Sequence, residues 1–143
     1  MGTTYDEIIE IFIDKISEYD WYKYTDIERD EIIEQYMFSA CAKWRNSGVD
    51  LNDRDNENRR FNIKLTDEQI DIIVTGMIVE WLKPKVYDSD KMKTFLNTKD
   101  YRLTSPQGIL DKIIQIYEIA KAEFKVMKSE YSFNRWNINE VNF

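Results

Sequence analysis

Apolar residues recur every three or four positions along most of the chain, a spacing typical of one face of an α-helix. Four such stretches open with a helix-start signal. In three of them, a threonine and the Glu or Gln three residues later can satisfy each other's backbone amides. These capping boxes are Thr4 with Glu7, Thr25 with Glu28, and Thr66 with Gln69. The fourth signal is Ser105 followed by Pro106, an N-cap and a first-turn proline.

These signals predict an all-α fold, a small bundle of four to five helices with a long C-terminal helix. We expect the second helix to end at residues 46–48, where Asn and Gly suit a left-handed C-cap. Pro84 should stop or kink the third helix, because proline removes a backbone donor. A shorter helix is predicted over residues 86–96, followed by a loop over 97–104.

Residues 49–60 break the helical pattern. They are rich in Asp, Asn and Arg and predict a long exposed loop. Residues 61–65 then alternate apolar and polar side chains, which indicates a short extended piece.

The last predicted helix, after Pro106, carries a seam with steps of three and four residues. Its members are Leu110, Ile113, Tyr117, Ala120, Phe124, Met127 and Tyr131. The seam is either the core face of a bundle helix or a coiled-coil contact. Ile116 and Ile119 are apolar but lie off this seam. We therefore expect both side chains at contacts between copies of the chain.

Residues 132–143 have a different character. Large apolar residues alternate irregularly with four asparagines, whose side chains compete with helical hydrogen bonds. The sequence therefore predicts a helical domain over 1–131 and an extended C-terminal docking tail over 132–143. The tail either folds back on its own bundle or reaches a neighbouring chain. Its predicted interface residues are Phe133, Trp136, Ile138, Val141 and Phe143.

Composition narrows the possible functions. A length of 143 residues and 43% hydrophobic residues suit one globular domain. The net charge of −7 makes the chain a poor general binder of nucleic acid. A single cysteine cannot form an internal disulfide, which favours a reducing compartment. No apolar run approaches the length of a membrane span, so no membrane contact is expected.

Catalytic and cofactor chemistry finds little support in the sequence. The chain has no histidine, one cysteine and four glycines, which argues against Ser-His or Cys-His nucleophiles, thiolate zinc sites and phosphate-cradling loops. Residues 50–61 superficially resemble a calcium loop. Arg54, Asp55 and Phe61 occupy its fifth, sixth and twelfth positions, where an oxygen ligand, glycine and glutamate are needed. We predict no enzyme activity, no metal and no cofactor.

Three short segments of the sequence resemble segments of a known protein family. They are YDEIIEIFIDKI at 5–16, EWLKP at 80–84 and LNTKDY at 96–101. Together they resemble small helical head–tail connector proteins, of the adaptor or head-completion class, from tailed bacteriophages and prophages of Gram-positive bacteria.

The resemblance implies a structural virion protein, assembled in the bacterial cytoplasm and located at the head–tail interface. Its copies would form a ring beneath the portal, usually of twelve, through which DNA only passes. The implied partners are other copies, the portal protein and the next neck or tail-completion protein. The alternative is an acidic helical inhibitor that mimics DNA and binds a nucleic-acid enzyme.

Overall fold

The computed structural model describes residues 2–16, 24–87 and 104–141, and side chains of the last range at 108 and 111–135. Four helices account for most of these residues, which confirms the all-α class. They are α1 (Tyr5–Lys15), α2 (Asp26–Ala42), α3 (Asp67–Tyr87) and α4 (Thr104–Val141). Two short antiparallel strands, β1 (Arg54–Asp55) and β2 (Arg60–Phe61), lie between α2 and α3.

All three capping boxes form as the sequence predicts. The Thr4 hydroxyl accepts from the Glu7 amide at 3.2 Å, and the Glu7 carboxylate accepts from the Thr4 amide at 3.1 Å. The same reciprocal bonds begin α2 and α3. Each box supplies partners for amides that have none within the helix, and so fixes where the helix starts.

The core forms where α2, α3 and α4 converge on Gly76. A Cβ at Gly76 would lie 2.7 Å from Cζ of Phe124 on α4 and 2.8 Å from Cβ of Ala40 on α2. Along α4, Tyr117, Ala120 and Phe124 are buried, which confirms the seam as a core face. Helix α4 runs antiparallel to α3, because Gln69 donates to the Tyr131 hydroxyl near one end of α3 while Phe124 meets Gly76 further along.

The polar stretch between α2 and α3 is more ordered than the sequence predicts. Leu51 and Phe61 are buried, and β1 pairs with β2. Thr3 accepts from the Phe61 amide at 2.8 Å, donates from its own amide to Ile63 at 3.0 Å and accepts from the Leu65 amide at 2.8 Å. The N-terminal residues therefore anchor the segment predicted to be extended after residue 60.

The predicted end of α2 is wrong, and α3 does not stop at Pro84. Helix α2 ends at Ala42, before the predicted residues 46–48, because the chain turns there and buries Trp44 against Tyr131 of α4. Helix α3 continues past Pro84 to Tyr87. Pro84 lies in the last turn, where its missing amide costs one hydrogen bond. The predicted helix over 86–96 and loop over 97–104 fall mostly outside the described residues.

The extended tail is also wrong as far as Val141. Helix α4 continues without a break through residues 132–141, and Asn142 and Phe143 lie outside the described residues. Extending an existing helix requires no new nucleus, so asparagines do not suffice to end it. Arg135 supports the continuation, because its guanidinium lies 5.5 Å from the Tyr131 ring centre and packs against Gly48.

The packing at Gly76 generates a prediction on stability. Alanine in mid-helix normally stabilises by about 0.5–1 kcal/mol relative to glycine. At Gly76 the added methyl group would overlap Phe124 and Ala40, and overpacking of this kind costs about 1–3 kcal/mol. Urea unfolding should therefore show Gly76→Ala to be less stable than the unmodified protein.

Gly108 of α4 is the matched control, since a Cβ there meets no atom within 4 Å. Gly108→Ala should be neutral or stabilising by about 0.5–1 kcal/mol. Equal stabilisation by both substitutions would show that the helices do not approach as closely as described.

Candidate interaction surfaces

The described residues contain potential metal ligands and one cysteine thiol. Across them, no three His, Cys, Asp or Glu side chains gather as potential metal ligands. Cys41 lies in the core, where burial raises the pKa of its thiol to about 12. A thiol in this environment stays protonated at neutral pH and is a poor nucleophile.

Three carboxylates of the polar stretch after α2 accept hydrogen bonds from residues within it or just after it. Asp50 accepts from the Asn52 amide at 3.0 Å, and Asp53 accepts from the Asn62 side chain at 2.8 Å. Asn58 donates to both oxygens of Asp55. These bonds stabilise turns of the loop and lower the pKa of Asp55, with the Asn58 side chain as the main cause.

The first candidate surface is an apolar stripe on one flank of α4. Its members are Ile116, Ile119, Val126 and Phe133, with exposed fractions of 49%, 58%, 52% and 58%. With 3.6 residues per turn, Ile116 lies about a fifth of a turn from the centre of the core seam, and the other three lie about a third of a turn or more from it. Of the predicted interface residues, Ile116, Ile119 and Phe133 thus share one exposed flank. Trp136, Ile138 and Val141 lie on α4 with undescribed side chains, and Phe143 is outside the described residues.

The second candidate surface is a basic cleft between the end of α2, the second half of α3 and the opposite flank of α4. Two adjoining cavities of about 490 and 520 Å³ share Lys43, Arg45, Lys125 and Lys128. Lys83 and Lys121 complete the set of six cationic side chains, while Gly76, Val79 and Phe124 supply an apolar floor. This concentration of positive charge contrasts with the net charge of −7.

Most of the cations in the basic cleft form no ion pair with a carboxylate of the described residues. Lys43 pairs with the buried carboxylate of Glu80, and this bond raises the pKa of Lys43. Lys128 donates to the Lys43 carbonyl at 3.1 Å, and burial together with the Lys43 charge lowers the pKa of Lys128. Among the described residues, no carboxylate forms an ion pair with Arg45, Lys125 or Lys128.

The third candidate surface is an acidic head at the start of α2, formed by Asp26, Ile27, Glu28 and Glu31. Ile27 is 73% exposed, which is more than any other large apolar side chain described. The acidic residues around it are also exposed, and Asp26 has only a 3.8 Å contact with Arg29. An apolar centre with a charged rim is the composition of a protein contact.

The sequence alone did not reveal the basic cleft or the acidic head. Lys121, Lys125 and Lys128 recur at helical spacing, and that spacing was the available signal for a basic face. The cleft also needs Lys43, Arg45 and Lys83, which only the crossing of three helices brings near them.

The burial of Cys41 predicts slow thiol labelling. At pH 8 a thiol with a pKa of about 12 is almost entirely protonated, whereas an unfolded cysteine is partly thiolate. Ellman's reagent should react with the folded protein at least about 100-fold more slowly than with the urea-unfolded protein. A Val49→Cys variant calibrates the assay, since Val49 is exposed. Equal folded and unfolded rates for Cys41 would contradict its placement in the core.

Comparison with known proteins does not assign this chain. No protein-family model matches it, and no curated protein or solved structure matches it either. Within the described ranges, none of the helices combines the length and apolar character that crossing a bilayer requires.

Proposed function

We propose that this protein is a structural virion subunit, a head–tail connector or adaptor that works by binding other proteins and does no chemistry of its own. The observation that carries the proposal is the apolar stripe on α4. Ile116, Ile119, Val126 and Phe133 stay exposed on a helix whose core face is already filled. Several large apolar side chains exposed on one flank are typical of a contact surface.

The surfaces also suit assembly of identical copies. Each chain carries an apolar stripe, a basic cleft and an acidic head, which are chemically different from one another. Contacts between unlike surfaces continue from copy to copy and close into a ring when the rotation allows it. The resemblance to phage connectors supports the same arrangement.

In this proposal the protein forms a ring, of twelve copies by the resemblance, at the head–tail interface of the virion. The portal protein would lie on one side and the next neck or tail-completion protein on the other. DNA would only pass through the lumen, where an overall acidic protein repels phosphate. The DNA-mimic alternative has less support, because the basic cleft places six cations on one side of the molecule.

The apolar stripe generates a prediction on assembly. Ile116→Asp with Ile119→Asp places two charges on exposed positions, where they should abolish apolar contacts between copies without disturbing the core. Native mass spectrometry and negative-stain images should show closed rings for the unmodified protein and monomers for the double variant. Circular dichroism should show the same helical content and melting behaviour for both.

Val49→Asp is the control, since it makes the same kind of exchange at an exposed site outside α4. It should assemble normally. Rings that persist in the double variant would show that the stripe is not the contact. Immunogold labelling of tailed particles tests the location directly, and label away from the head–tail junction would overturn the proposed function.

A further inference from the structure

Helix α2 carries surfaces of opposite charge at its two ends. The acidic head occupies its first turns, and Lys43 and Arg45 of the basic cleft follow its last residue. With 17 residues at 1.5 Å each, the helix holds the two surfaces about 25 Å apart. At that separation the head and the cleft of one molecule cannot meet.

The two surfaces are complementary in more than charge. The head presents one exposed isoleucine among carboxylates. The cleft presents cations around an apolar floor that includes Val79. Trp44 lines the same region, and its buried indole N–H has no acceptor among the described residues. An apolar side chain surrounded by acids matches this combination of floor and rim.

Contacts between like surfaces are unfavourable. A two-fold contact through the cleft would bring Arg45, Lys125 and Lys128 of both copies together without carboxylates to offset them. A two-fold contact through the head would bring the acidic residues of both copies together. Contact between a head and a cleft avoids both like-charge repulsions, and it joins copies head to tail.

We propose that the basic cleft of one copy binds the acidic head of a second copy, with Ile27 against the cleft floor and Glu31 near Arg45 and Lys125. This inference rests on the proposed function in one respect, namely that both require copies to associate. Beyond the proposed function, the head–cleft contact specifies which surfaces join neighbouring copies and that the copies associate head to tail.

A nucleic-acid phosphate backbone is the competing occupant of a basic cleft. Single-strand binders stack bases on aromatic faces. Here the Lys121 ammonium lies 4.9 Å from the Tyr117 ring centre and the Lys128 ammonium 4.0 Å from that of Phe124, so cations already cover these faces. The cleft therefore favours carboxylates that approach with an apolar side chain.

Cross-linking between two single-site variants of the full chain tests the contact. Ile27→Cys places a thiol on the head, and Ser129→Cys places one at the exposed wall of the cleft. A short bismaleimide should produce a covalent dimer in the mixture of both variants, and little in either variant alone. Buried Cys41 does not compete, and Val49→Cys mixed with Ser129→Cys is the control pair.

Charge-reversed variants provide a second measurement. A cleft variant carries Arg45→Glu and Lys125→Glu, and a head variant carries Ile27→Lys and Glu31→Lys. Lys43 and Glu28 are left intact, because they hold Glu80 and the α2 cap. Each variant alone should be monomeric in native mass spectrometry. Their equimolar mixture should associate again, because the intact head meets the intact cleft and the two reversed surfaces also carry opposite charge. Lys64→Glu and Glu10→Lys, at exposed sites elsewhere, should assemble normally.

Each other outcome overturns the inference in a recognisable way. Rings formed by both variants would reject the head–cleft contact and leave the connector proposal standing. A mixture that stays monomeric, or a cleft variant that loses only the ability to bind a fluorescent DNA duplex, would show that the cleft has another occupant. A monomeric unmodified protein would also reject the inference, while immunogold labelling of particles still decides the proposed function independently.

Discussion

The close approach of three helices at Gly76 determines the shape of this molecule. Because glycine has no side chain, Ala40 of α2 and Phe124 of α4 both reach the α3 backbone. The crossing fixes the rotation of α4, so that one row of its side chains fills the core. It also leaves one flank of α4 beside the end of α2, where the basic cleft forms, and exposes the apolar stripe on the other flank.

The same crossing explains the long polar connection between α2 and α3. Helices α2 and α3 are parallel, with Ala40 near Gly76 and Lys43 paired with Glu80, so the chain must return over the full length of α2. Arg59 fastens the returning segment. It adopts a positive φ of 54° and donates to Glu34 of α2 and Asp6 of α1 at 3.2 and 2.9 Å. The connection between α2 and α3 is therefore held against α1 and α2, although its composition is typical of a solvent-exposed loop.

Local signals in the sequence predicted where the helices start. Contacts between residues far apart in the chain determine where α2 ends and how the basic cleft forms. Capping boxes depend on residues three apart, so all three starts were predictable. The end of α2 was not, because it depends on Trp44 packing against Tyr131, far along the chain. The asparagine content of residues 132–141 predicted an extended tail. These residues instead continue helix α4, because extending an existing helix needs no new nucleus. The stripe residues Ile116 and Ile119 were predictable from periodicity, but the cleft was not, since it combines three helices.

Net charge and charge distribution act on different steps of assembly. A charge of −7 per copy makes identical copies repel each other. Salt at physiological concentration largely screens this repulsion at distances beyond about 8 Å. At contact distance the local patches decide the interaction, and here acids gather at the start of α2 while cations gather beyond its end. Such an arrangement gives a contact direction, which an apolar stripe alone does not, because identical stripes can pair symmetrically. Direction does not by itself close a ring. Closure depends on the rotation from one copy to the next, and in this fold the angles at which α2 and α4 each cross α3 at Gly76 would set the relation between head and cleft.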